Sequence, residues 1–316
     1  MKPPFINRDG SAEPRTMIYP TNPGNYFGMG ENRTLNRLDG NLFSRKEINE
    51  QFLTSVATLS GGSPSDATVE DLQLWGQHAW KAEHGTVEAA ARFGDKLVEE
   101  TGEFDESLVA FINNPSEETK HAAISEAGDV LWSLSAGLSN SGVSIEYAIQ
   151  NRLMFTAKGT LVHTPEGMQY PVWRDKAIEI AMSNLHPITV GQIDDLFEAG
   201  YVPEASTAMN IDPPSPDPEH IEETYSQWKI DTAFAHILSY EIGAQMEGNV
   251  RRDYDEGRHV MGEQAAYFFL RTLYTLREIT GATYADVWPV NFAKITARVQ
   301  TGRIDHADGE RSPDLL

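Results

Sequence analysis
The sequence predicts an all-α protein, a helical bundle of two related helical units in one chain. Three observations carry that expectation. Helix-length segments with short connections follow one another from about residue 44 to residue 158. Two acidic patterns at helical spacing lie at equal distances on either side of one proline-marked turn. After a proline-rich linker, the same pattern of residues returns.

Residues 1–43 are rich in Pro, Gly and Asn without a sustained period and read as an irregular arm. Gly28-Met-Gly-Glu-Asn-Arg33 has the look of a phosphate loop, but no strand precedes it and no Gly-Lys-Ser/Thr follows, so it reads as a turn. Ser44 and Glu47 fit a capping box that opens a helix to about Leu59, ended by Gly61, Gly62, Ser63 and Pro64. A helix from about Thr68 to Glu83 carries Leu72, Leu74, Trp75 and Trp80 and stops at His84-Gly85. The next runs from Thr86 to Asn113. There Asn113-Asn114-Pro115-Ser116 breaks it, because proline cannot sit in a helix interior, and Ser116 can cap the helix that continues to Ser139. The result is a hairpin of two antiparallel helices. Ser144 opens a fifth helix through Lys158, closed by Gly159.

The hairpin holds the chemistry. Glu100 and Glu103 are spaced i, i+3, as are Glu126 and Asp129, so each pair projects from one helix face. Glu103 lies eleven residues before Asn114 and Glu126 eleven after Pro115; Glu100 and Asp129 each lie fourteen away. At about 1.5 Å per residue both pairs stand roughly 16–21 Å from the turn. If both face the seam, four carboxylates converge. Charges about 5 Å apart repel by roughly 3 kcal/mol per pair at an effective dielectric near 20. Such a cluster takes up protons or binds cations, and all-oxygen ligands suit Mg²⁺ or Mn²⁺. A solvated acidic face is the plainer alternative. Flanking Leu97, Val98, Phe104, Val130, Leu131 and Trp132 speak against it.

Lys96-Leu-Val-Glu-Glu-Thr-Gly-Glu-Phe104, then Ser125-Glu-Ala-Gly-Asp-Val-Leu-Trp132, resembles the MazG-like all-α nucleoside triphosphate pyrophosphohydrolases, whose signature is Glu-x-x-Glu and Glu-x-x-Asp on two packed helices. The resemblance covers roughly residues 70–160; dimeric dUTPases and phosphoribosyl-ATP pyrophosphohydrolases share the arrangement. It implies Mg²⁺-dependent hydrolysis of a nucleoside triphosphate between the α and β phosphates, with Glu100, Glu103, Glu126 and Asp129 as catalytic metal ligands. Mn²⁺ is a possible substitute. It also implies phosphate contacts from an Asn-x-x-Lys-x-x-x-Arg pattern on the closing helix. Asn151 and Lys158 fit that pattern with Met154 in the middle position. Trp80 could stack on the nucleobase, with core packing as the alternative for at least one of Trp75 and Trp80. The alternatives within and beyond this chemistry are a dUTPase-like or deoxycytidine-nucleotide-specific hydrolase, and a nucleotide- or metal-sensing helical module without turnover.

Residues 160–212 are less regular, with short helices expected at Trp173–Asn184 and Thr189–Ala199, the second closed by Gly200. Pro213, Pro214, Pro216 and Pro218 form a stiff linker. Beyond it, Phe234 to Ala244 aligns with Phe93 to Glu103 at a constant offset of 141 residues, and Glu263 to Phe269 aligns with Glu126 to Trp132 at 137. Glu241 and Glu263 are kept; Ala244 and Ala266 stand where Glu103 and Asp129 would be. Near the end Asn291, Lys294 and Arg298 complete the Asn-x-x-Lys-x-x-x-Arg pattern. The chain therefore divides into an arm with a short helix (1–60), a catalytic unit (61–160), a connecting segment (161–217), a degenerate second unit (218–303) and a tail (304–316). Family members commonly work as dimers, so the two units are expected to pack as an internal pseudo-dimer, with further homo-oligomers possible. The second closing helix would then supply cations to the first unit's site.

Composition sets outer bounds. With 316 residues, 40% of them hydrophobic, the chain can bury one large core or two modest ones. The absence of cysteine excludes disulfides, thiolate zinc sites and a cysteine nucleophile. A net charge of −22 argues against a nucleic-acid surface. No apolar run reaches the roughly 20 residues of a membrane span, and the N-terminus lacks the layout of a signal peptide, which suggests a cytoplasmic setting. Glu118 with His121, and Glu256 with His259, have the spacing of di-iron ligands. Glu118 and His121 sit in the first turn after Pro115, however, too far along the hairpin to share a metal with Glu100.

Overall fold
The break at Asn113-Asn114-Pro115-Ser116 divides two long helices, α1 (Val87–Asn113) and α2 (Glu117–Asn140). Ser116 caps α2 through a capping box: its hydroxyl accepts the Thr119 amide at 3.2 Å, and the Thr119 hydroxyl accepts the Ser116 amide at 3.1 Å. Glu117 and Glu118 in the first turn favour the positive end of the helix dipole. A computed structural model describes residues 64–73, 87–141, 143–159, 162–164, 167–182, 187–203, 218–248 and 254–300. The expected arm, the capping box at Ser44, Trp75 and Trp80, the prolines at 213, 214 and 216, and the tail lie outside the described residues.

Within them the protein is predominantly α-helical. After α2 come α3 (Ile145–Gly159), α4 (Trp173–Met182) and α5 (Val190–Glu198). Thr189 caps α5 with Gln192 in a second capping box, and Gly200, at φ 88°, takes the left-handed conformation that ends it. Four helices follow the linker: α6 (Pro218–Asp231), α7 (Ala233–Gly248), α8 (Tyr254–Thr280) and α9 (Tyr284–Gln300). One feature departs from the expected all-α content. Between α3 and α4, β1 (Val162–Thr164) and β2 (Gly167–Gln169) form a small antiparallel hairpin, pairing Val162 with Gln169 and Thr164 with Gly167.

The two hairpins, α1–α2 and α7–α8, pack side by side, α1 on α7 and α2 on α8. Their shared core includes Phe93, Leu97, Phe104, Leu108, Val130, Leu134, Leu238, Ile242 and Phe268, all fully buried. Trp228 of α6 is wedged into it, edge-on to Phe104 at 5.1 Å and stacked on Phe268 at 5.7 Å. Truncating such a tryptophan to alanine costs about 3–5 kcal/mol. The residues expected to flank the carboxylates, Leu97, Phe104, Val130, Leu131 and Trp132, are buried, and Val98 packs against the same core.

The closing helices are exchanged. α3 follows the first hairpin in sequence but packs on α8 of the second; α9 follows the second hairpin but packs on α2 of the first. The α9 end of this exchange is fixed by Asp194 of α5, whose carboxylate accepts the amides of Tyr284 at 2.7 Å and Ala285 at 3.0 Å. These are first-turn amides without intrahelical partners, so a carboxylate from another element acts as their cap.

Candidate metal centre
Glu100 and Glu103 on α1 face Glu126 and Asp129 on α2 across the hairpin seam, at the matching heights the turn dictates. One carboxylate oxygen from each of Glu100, Glu103 and Glu126 lies within 4.8 Å of the others. Glu100 is 3% exposed, and Glu103 and Glu126 are half-buried, so the cluster opens on one side to solvent. Asp129, 4% exposed, adjoins this group closely enough to repel Glu100.

Burial and then the charge of Asp129 raise the Glu100 carboxyl to about 7, with Lys96 pulling the other way. The Lys96 ammonium lies 2.7 Å from Glu100 Oε1, one helical turn back on α1. The other oxygen, Glu100 Oε2, is buried and has no hydrogen-bond donor. A buried acceptor left unsatisfied costs about 1–3 kcal/mol, more when charged. Three or four carboxylates, one with an orphaned oxygen, fit a hard divalent cation with oxygen ligands. Glu100, Glu103, Glu126 and Asp129 are the residues that could hold it.

The second half of the chain completes the site. Asn291 on α9, 1% exposed, donates Nδ2 to Asp129 Oδ1 at 2.8 Å. The Lys294 ammonium bonds Asp129 Oδ2 and the Ser125 hydroxyl, the latter at 3.1 Å, and stands 4.0 Å from Glu126 Oε1. Gly128 permits this approach. A Cβ placed there would fall 2.6 Å from the Asn291 Cβ and 2.7 Å from its Nδ2, closer than any side chain tolerates.

Asn151 and Lys158, expected at the first site, belong to α3, which packs on the second hairpin; Asn151 is buried and Lys158 is exposed. There Ala266, at the position aligned with Asp129, is fully buried and offers no carboxylate. Asn151 is correspondingly buried with its Nδ2 lacking any acceptor, whereas the aligned Asn291 bonds Asp129. Arg152 lies over the Tyr267 ring at 4.9 Å, and its charge acts on Glu263, a carboxyl that burial nonetheless pushes up. Arg298 is placed only through the backbone of α9, Ala244 only through that of α7, and Trp80 lies outside the described residues. Glu118 and His121 are exposed at the turn end of α2, away from the carboxylates.

Four contributors were not singled out by sequence reasoning. Lys96 was legible as an i, i+4 partner of Glu100. Gly128, a glycine inside a helix between two ligand candidates, was a signal of close approach. Ser125 and Asp194 carried no signal, since each acts on a helix more than 85 residues away.

Compared with protein families, curated proteins and solved structures, the chain matches none. What the fold and site define is a helical protein with a half-buried carboxylate cluster, closed by an amide and an ammonium from its other half.

Proposed function
We propose that this protein is a divalent-cation-dependent nucleoside triphosphate pyrophosphohydrolase of MazG-like type. It would cleave a (d)NTP between the α and β phosphates to (d)NMP and pyrophosphate. The observation that carries the reading is the meeting of Glu100, Glu103 and Glu126 within 4.8 Å, with Asp129 beside them. A Mg²⁺ or Mn²⁺ held there supplies neutralisation of phosphate charge and activation of a water for attack at the α-phosphorus. The chain's own residues do the rest. Glu100, Glu103, Glu126 and Asp129 hold the cation, Lys96 keeps Glu100 oriented, and Asn291 fixes the rotamer of Asp129. Lys294 brings a positive charge into the carboxylate cluster itself, in a chain of net charge −22.

The same reading takes 61–160 and 218–303 as duplicated units, the first catalytic and the second degenerate, packed as an internal pseudo-dimer. The exchanged closing helices support it, because reciprocal packing of α3 on α8 and α9 on α2 is what a fused symmetric pair would leave. Ala266 and the acceptorless Asn151 support the loss of metal chemistry in the second unit.

The test is a pyrophosphate-release assay over all common (d)NTPs with Mg²⁺ and with Mn²⁺. Release that Glu100→Gln and Asp129→Asn abolish supports the reading. A strong preference for dUTP or dCTP would narrow it to a specific hydrolase. Nucleotide binding without release would mark a sensing module instead.

A further inference from the structure
Lys294 occupies a position that the proposed chemistry leaves unexplained. If its task were only to meet phosphate, its ammonium would sit at the rim. Instead it bonds Asp129 and Ser125 and stands 4.0 Å from Glu126, so its single charge is already engaged within the cluster. Its side chain is 23% exposed, on a long flexible stem with one open side. The site also holds two buried acceptor oxygens without a donor, Glu100 Oε2 and Asn291 Oδ1. The pocket therefore has unused capacity for a cation while Glu100 and Asp129 are already paired with internal ones, Lys96 and Lys294.

We propose that Lys294 is a tethered counter-ion that competes with the divalent cation for Asp129. This rests on the reading of the carboxylates as a metal site. In the empty protein the ammonium holds the acids together and keeps them from collecting metal tightly. A divalent cation that takes Asp129 must displace the ammonium, which then needs another anion. A polyphosphate arriving with the metal is such an anion, and Lys294 can turn to it without leaving the site. Metal alone therefore binds weakly, and metal with polyphosphate binds strongly. The competitor comes from the second half of the chain, which couples metal loading of the first half to the seating of α9.

Calorimetric titration of the full chain with Mn²⁺ alone tests this. Lys294→Met should bind Mn²⁺ at least tenfold more tightly than wild type, and Lys294→Arg, which keeps the charge, should stay within about twofold of wild type. Without metal, Lys294→Met should melt lower than wild type and recover more on adding Mn²⁺. Lys294→Gln gives a second neutral variant should the methionine disturb packing. Equal or weaker Mn²⁺ binding by both neutral variants, with wild type binding normally, overturns the competition while leaving the metal site standing. No Mn²⁺ binding by any of the proteins overturns the metal site, and the competition with it.

Discussion

Asn291 and Asp129 are 162 residues apart in sequence and joined by a 2.8 Å hydrogen bond inside the protein. Each is nearly inaccessible to solvent, and neither belongs to the same hairpin. The bond means that the fourth acid of the cluster takes its orientation from a helix the first half of the chain does not contain.

Metal binding should be visible as stability. At a hundredfold excess over Kd, Mg²⁺ or Mn²⁺ should stabilise wild type by about 2.7 kcal/mol. Glu103→Gln and Glu126→Gln each remove one charge from a mutually repelling group, so both should melt close to wild type in EDTA. Both should lose the gain on adding metal. Thermal melts with EDTA and with excess metal make the comparison; a wild type indifferent to both ions would end the metal reading.

The raised carboxyl of Glu100 gives a pH signature. Its folded-state value of about 7 lies above the ordinary value of 4.5, so the folded protein holds a proton the unfolded chain has lost. Its stabilising contribution is fully present below about 4.5 and is lost as pH rises through about 7. Urea midpoints measured in EDTA should fall across that window, and Glu100→Gln should flatten the fall. Metal affinity should run the opposite way, strengthening from pH 6 to 8, because a ligand must be ionised.

Gly128→Ala sets two effects against each other. Alanine favours the helix over glycine by about 1 kcal/mol. The added methyl meets the Asn291 Cβ at 2.6 Å, an atom fixed to the α9 backbone, so α9 must shift. Overpacking of this kind costs about 1–3 kcal/mol, and the clash should win. The urea midpoint should fall, and kcat/KM should drop at least tenfold as Asn291 and Lys294 move off Asp129.

Asp194 should behave as a remote positioning residue. Asp194→Ala leaves two first-turn amides of α9 uncapped in a buried place, at a cost of about 1–3 kcal/mol. If α9 loosens, Mn²⁺ affinity should change along with stability, as expected for Lys294→Met. Asp194→Asn keeps one acceptor oxygen and should lie between. Denaturation and metal titration of the two variants provide the check.

If the second unit is degenerate as proposed, Glu241→Gln should cost far less activity than Glu100→Gln. Ala244 and Ala266 leave too few acids there for a tight all-protein cation site. Parallel pyrophosphate-release assays would show it, and equal losses would refute the division of labour.

The hairpin was open to reading because local chemistry writes it. Pro115 forbids continuation, Ser116 offers a cap, and counting from the turn places four acids at one level. Helix ends agree with the expected ones to within two residues from Val87 to Glu198 for the same reason. The exchange of α3 and α9 was not legible, since it depends on which apolar face meets which across the whole chain. Asn151 shows the consequence: its motif was visible, but its neighbour is the second hairpin. The β1–β2 hairpin was missed because three-residue strands carry too little alternation to stand out.

The exchange also sets an order in time. During synthesis the four acids of the hairpin emerge long before α9, and Lys294 follows Asp129 by 165 residues. At roughly 5–20 residues per second, that leaves them about 8–33 s without their internal cation from the other half. The first hairpin must wait through that interval with its acids protonated, paired only with Lys96, or loaded with a divalent ion. For the same reason, a gene cut between the two halves would make a first fragment whose acidic seam never receives its ammonium. The halves are joined by more than a linker: the last of the described helices is the one that finishes the first site.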